Sequence, residues 1–269
     1  MGRWLATLLI AVGLWTTYPQ LALAAKAVEP IIFDPASTAI SVMSVYETTA
    51  ASQKSSLKEM FKTSKSFYKK IPGFKSFAVF GSSDGSRMIE LSQWQDQASY
   101  DAFQVSLAEA PADYTQYYKK YLDDDESPEA ASEPVLTASF AIDQAIAPPG
   151  MVSAIPGDTS LVQITEFRAD TPEHQAELLD SVQTLLAEVP SLYPAPHTAI
   201  VLRGIDSPYV ALLANWGAAA EFIDPSQVPT LTLPAEAEAS PEPPWLTKDE
   251  NLYQVVKVIA AQPEKYGKD

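Results

Sequence analysis

The sequence contains no cysteine and only two histidines, His174 and His197, in 269 residues. Without cysteine there is no disulfide, no thiolate ligand and no thiol nucleophile, so stability must come from the core alone. Two histidines with no further ligands at suitable spacing exclude the usual zinc arrangements. Solvent-exposed or capping roles are expected for both: His174 in the first turn of a helix, His197 just before a strand. Positive charge is also scarce. Lys+Arg number 18 against 34 Asp+Glu, a net charge of −16. Such a chain repels phosphate backbones, which argues against a nucleic-acid partner. The one basic cluster, Lys54 to Lys70, alternates with apolar residues and reads as a solvated helix face. No nucleophile elbow, phosphate loop or dinucleotide fingerprint occurs. Asp123-Asp124-Asp125-Glu126 lacks the alternate-residue spacing and central glycine of a calcium loop, and reads as a solvated linker. No cofactor and no metal are therefore expected.

What is present begins with an address. Arg3 is the only side-chain charge before Lys26, Leu5 to Trp15 is apolar, and Ala22-Leu23-Ala24 has the small-x-small form of a cleavage site. Residues 1–24 read as a secretory signal peptide cut after Ala24, which implies a periplasmic or extracellular mature protein. The apolar run is short and Pro19 follows it, so stable membrane insertion after cleavage is not expected.

The most informative stretch runs from Ile71 to Trp94. Pro72-Gly73 stops a helix, because proline offers no N–H and glycine accepts positive φ. Phe77 to Phe80 is strand-like in composition. Asp84-Gly85 makes a hairpin turn. Met88 to Trp94 then alternates, with Ile89 and Leu91 on one face and Met88, Glu90, Ser92 and Trp94 on the other. Around this hairpin the chain reads as strand (Ala39 to Tyr46), helix (Lys54 to Ile71, with Leu57, Met60, Phe61, Ser64, Phe67 and Tyr68 inward), two strands, a helix capped by Asp96, and a last strand (Val135 to Ile142). The second helix carries Tyr100, Phe103 and Leu107 inward. Tyr114, Tyr117, Tyr118 and Tyr121 follow it.

The same order recurs. Leu161 to Arg168 is a strand, and Thr171-Pro172 opens a helix with an inward stripe from Leu178 to Val189. Thr198 to Arg203 and Tyr209 to Trp216 are strands, Gly217 to Ile223 is a weak helix, and Asn251 to Ala260 is the closing strand. Trp216 follows Trp94 by 122 positions and Pro190 follows Pro72 by 118. Each copy has an acidic, proline-rich loop before its last strand, at 123–134 and 226–244. An internal duplication accounts for this. The expected organisation is a unit at 39–143, a linker at 144–159 marked by Pro148-Pro149-Gly150, and a second unit at 160–262.

A βαββαβ unit is ferredoxin-like. With Ile71-Pro72-Gly73-Phe74, Asp84-Gly85, Trp94 and Tyr100-Asp101-Ala102-Phe103 in those places, the chain resembles the antibiotic-biosynthesis-monooxygenase (ABM) family over about 40–142 and 160–261. The second copy keeps Pro190 and Trp216 without the Gly-Phe. The resemblance implies an α+β fold in which two tandem ferredoxin-like βαββαβ units pack as an intramolecular α+β barrel. Two chains usually supply that barrel; two tandem copies would make a monomer sufficient.

The family also supplies three functional expectations. Its haem-degrading branch uses an Asn on strand one, a Trp closing strand three and a His on the next helix. Here strand one offers Ser44 and Tyr46, or Gln163 and Thr165, and no His follows either Trp, so haem binding is disfavoured. The leading expectation is a non-catalytic small-ligand-binding or accessory module. The alternative is a cofactor-independent monooxygenase acting on a small aromatic, in which the protein chiefly orients its substrate. Tyr46, Trp94, Tyr100, Asn215 and Trp216 are the candidate pocket residues, and no catalytic residue is assigned. For both tryptophans, packing of a helix onto the sheet is the competing role.

Overall fold

The computed structural model describes residues 29–67, 71–109, 133–157, 160–192, 195–218, 227–229, 231, 233 and 243–261. The signal segment, the four tyrosines from Tyr114 to Tyr121, the Asp123–Glu126 run and most of the two acidic loops lie outside these residues. So does most of the weak helix expected after Trp216.

Ten strands and three α-helices are present among the described residues. They are β1 (Pro30–Ile32), β2 (Ile40–Glu47), α1 (Gln53–Phe67), β3 (Phe74–Ser82), β4 (Arg87–Trp94), α2 (Gln97–Glu109), β5 (Leu136–Ile146), β6 (Ala154–Pro156), β7 (Ser160–Ala169), α3 (Pro172–Glu188), β8 (Thr198–Gly204), β9 (Tyr209–Ala218) and β10 (Leu246–Ala260). Eight strands close into one antiparallel barrel in the order β10-β3-β4-β2-β5-β8-β9-β7. Within each half the chain's first strand lies between its third and fourth, with the second outermost: β3-β4-β2-β5 and β8-β9-β7-β10. The halves meet at two seams, β5 against β8 and β10 against β3.

Alternation explains why the strands close. Ile89 and Leu91 of β4 enter the barrel interior, while Met88 and Trp94 face the helices. Each of the eight barrel strands contributes at least one residue to the interior cluster, including Met43, Phe80, Phe140, Ile164, Leu202, Leu213 and Val255. The spans expected as two units therefore share one core, and closure leaves no open sheet edge. Two further clusters lie outside the barrel. One places Leu57, Trp94 and Phe103 against the first half of the sheet. The other places Leu178, Val182, Leu185 and Leu186 of α3 against the second half.

Local signals behave as their chemistry requires. Gly73 and Gly85 both take φ of 77°, and a Cβ on Gly85 would lie 2.6 Å from the Ala50 Cα. Asp96 Oδ1 accepts from the Ser99 N–H at 2.8 Å and caps α2. Thr171 Oγ1 accepts from the His174 N–H at 3.2 Å and caps α3.

The linker and the last strand differ from expectation. The stretch before residue 39 and the linker at 144–159 contain β1 and β6, which pair antiparallel as Ile31 opposite Ile155. Ile31, Phe33 and Ile155 enter the barrel cluster and stopper one end of it. Three-residue strands between prolines carry no period, so their role shows only through the barrel end they cover. The last strand is also longer than expected, starting at Leu246 rather than Asn251. Its charged first half, Lys248-Asp249-Glu250, hides a strand that pairs with β7 from Leu246 to Gln254 and with β3 from Tyr253 to Ala260, the second ladder bulged between Val255 and Lys257.

Candidate functional site

The helix-covered face of the first half gathers Tyr46, Trp94 and Tyr100. Trp94 closes β4 and is fully buried at 0% exposure. Its ring stacks on Phe103 at 4.7 Å, meets Phe74 edge-on at 5.8 Å and Tyr100 at 5.6 Å. Its Nε1–H donates to Ser92 Oγ at 3.0 Å. Tyr46 Oη donates to Glu90 Oε2 at 3.4 Å. Burial, and then the Glu90 charge, push the Tyr46 phenol well above its ordinary value; burial does the same for Tyr100. Both phenols are therefore neutral donors. Trp94 has a ring on several sides and a partner for its N–H.

The second half is different. Trp216 closes β9 at 2% exposure, on the face toward α3, with Leu231 and Leu233 buried in the same cluster. Its Nε1 has no hydrogen-bond partner among the described residues. Gln163 of β7 lies opposite Ala214 of β9, on the face shared with Trp216 two positions on. Gln163 is 5% exposed, and its Oε1 is also without a partner among the described residues. A buried donor and a buried acceptor on one face, each unmet among the described residues, are each costly by about 1–3 kcal/mol unless a further group supplies the bonds. Next along that face, Thr165 Oγ1 donates to Glu250 Oε2 at 3.2 Å, and Lys248 Nζ lies 3.4 Å from the same oxygen. Thr165 and Glu250 sit directly opposite across β7 and β10.

Asn215, grouped with Trp216 by sequence, points the other way. It is paired with Thr198 and Val162 on the barrel-interior side, and its Oδ1 accepts from the Gly217 N–H at 3.1 Å. Consecutive strand residues face opposite sides of a sheet, so Asn215 and Trp216 do not line one space. His174 packs its ring on Trp245 at 4.6 Å and bonds Asp170 through Nδ1. That contact fastens the chain entering β10 to the start of α3. His197 is exposed and donates its backbone N–H to Asn215 O at 2.7 Å. Among the described residues no group of three His, Cys, Asp or Glu is placed to hold a metal ion.

Gln163 is the residue that sequence reasoning passed over. In the sequence it stands out only as a departure from an asparagine position. The available signal was its place on β7 at the same parity as Thr165 and Phe167, the face that meets Trp216.

No protein-family model and no curated protein sequence matches this chain. Solved structures do match. An anthrone oxidase-like protein superposes with a TM-score of 0.57 at 15% identity, over 88% of this chain and 98% of its own. A protein solved as a candidate monooxygenase from Fusobacterium nucleatum subsp. nucleatum gives 0.52 at 10% identity, over 87% of this chain and 100% of its own. A ferredoxin-fold protein related to antibiotic biosynthesis monooxygenases, from Listeria monocytogenes, gives 0.37 at 10% identity, over 81% and 95%. The α+β fold with an eight-strand closed barrel is thus shared with the anthrone oxidase-like and Fusobacterium structures. At these identities the likeness is one of fold.

Proposed function

We propose that this chain is a small-molecule-binding protein on a tandem ABM-type barrel, and that it holds a planar aromatic ligand against Trp216 on the outer face of its second half. One observation carries this reading: Trp216 Nε1 and Gln163 Oε1 are buried on the same face of the sheet and without partners among the described residues, whereas the equivalent Trp94 is bonded and ringed by aromatics. A ligand with an acceptor for the indole and a donor for the amide completes both bonds. The repeated strand order and the two like seams support an origin by duplication, and with it a monomer complete in itself. The N-terminal pattern supports secretion.

The side chains at the unmet pair favour binding over catalysis. Neither indole nor amide is an acid or base near neutral pH, and Glu250 is engaged by Thr165 and Lys248. An oxygenase reading rests on the anthrone oxidase-like structure, whose fold this chain shares. Oxygen uptake in the presence of ligand separates the two.

The test is calorimetric titration of the mature chain with a hydroxyanthrone. Saturable one-site binding is expected. Trp216→Phe keeps the ring and removes the N–H, and should weaken binding about 5- to 10-fold, the worth of one hydrogen bond. Trp94→Phe should leave it unchanged. Absence of saturable heat, or equal weakening by both variants, contradicts the proposal.

A further inference from the structure

One end of the barrel is stoppered by β1 and β6; the other carries charge. There Glu166 of β7 stands in register opposite Asp249 of β10, two carboxylates facing each other across one ladder. Both lie on the interior side, since Glu166 is also opposite Ala211, a barrel-core residue. Like charges directly opposite on a sheet destabilise the pair. Two cations stand near among the described residues. Arg87 of β4 forms its ion pair with Asp249. Arg168, two residues on along β7, lies over the Tyr209 ring of β9 at 5.8 Å. Tyr253 of β10 lies below, buried in the core, and Asp84 in the β3–β4 turn accepts from Asn251 at 3.4 Å. One guanidinium therefore serves two carboxylates.

We propose that Glu166 is a proton-operated clasp on the β7–β10 seam. When it is neutral, the seam is held by the Arg87–Asp249 pair and its own backbone ladder. When it is ionised, Glu166 and Asp249 repel and the seam loosens at this end of the barrel. The effect reaches the other face of the same strands, because Thr165 and Glu250, the residues next to Glu166 and Asp249, bond across this seam. Gln163 lies two residues further along β7.

Burial, then the Asp249 charge, raise the Glu166 carboxyl to about 7, against a smaller opposing effect of Arg87. A carboxyl whose pKa is raised by folding lowers stability as it ionises. Seam stability should therefore be highest below the ordinary carboxylate pKa, fall as pH rises from about 4.5 to about 7, and level off above.

The test uses the ligand-free protein, so its result is independent of the ligand reading. Amide exchange of 161–169 and 246–254, corrected for intrinsic rates, is followed from about pH 5 to about pH 8. Protection in the wild type should fall about tenfold or more over that range. Glu166→Gln should hold it flat at the high, acid-side level. A carbon-13 titration of the Glu166 carboxyl in the wild type needs no variant, and its midpoint should fall near 7. A midpoint at the ordinary glutamate value, a flat wild-type profile, or an unchanged slope in Glu166→Gln overturns the clasp.

Discussion

Trp94→Ala is expected to cost about 3–5 kcal/mol of folding stability, the range for removing a fully buried large aromatic. The indole is at 0% exposure and touches Phe74, Tyr100 and Phe103. It also fixes the place of α2. Among the described side chains of α2, Phe103 is buried in the outer cluster with Tyr100 partly buried beside it, and both pack on this ring. Loss of the indole leaves a cavity and takes away the surface on which that helix docks. Chemical denaturation followed by far-ultraviolet circular dichroism should show an earlier midpoint and reduced helix signal. Trp94→Phe should recover much of the loss, because the ring contacts matter more than the bond to Ser92. A cost below about 1 kcal/mol would mean that the space beside Trp94 is not packed as described.

Phe140→Ala should be comparably severe, at about 3–5 kcal/mol, and for a different reason. Phe140 is fully buried inside the barrel on β5, the strand that joins the halves. It stands opposite Ser41 of β2 on one side and Gly204 of β8 on the other. A hole there is lined by both halves. The whole barrel should therefore unfold earlier in one cooperative transition, with probes on Trp94 and Trp216 moving together. Two separated transitions would mean that the halves are independent domains, and that the shared interior contributes little.

The strands and helices around Trp94 were legible because their signals are local. Pro72-Gly73 and Asp84-Gly85 punctuate the chain, and the alternation of Met88 to Trp94 assigns faces without knowledge of partners. The recurrence of Trp and Pro at an offset near 120 positions gave the second set of strands. What the sequence hides is long-range. In β7 nearly every residue is buried, because one face meets α3 and the other fills the barrel. Alternation then cannot say which residues look inward, and Gln163 and Glu166 fall on opposite sides of the sheet with no local mark of it. The opposition of Glu166 and Asp249 depends on register between strands some eighty residues apart. The charged start of β10 carries no strand signal for the same reason: Glu250 is held by Thr165 of β7 and Asp249 by Arg87 of β4. Asn215 shows the limit at the smallest scale, since adjacency in sequence to Trp216 placed it on the opposite face.

In the proposed complex Trp216, and not Trp94, presents its indole N–H to the ligand. The most direct measurement is a nitrogen-15 spectrum of the tryptophan indole groups of the mature chain, assigned by Trp216→Phe and Trp94→Phe, during titration with a hydroxyanthrone. The Trp216 indole resonance should move downfield and saturate as it gains an acceptor, while that of Trp94, already bonded to Ser92 Oγ, stays in place. Movement of Trp94 with Trp216 unchanged, or no movement of either at saturating ligand, would contradict the proposal.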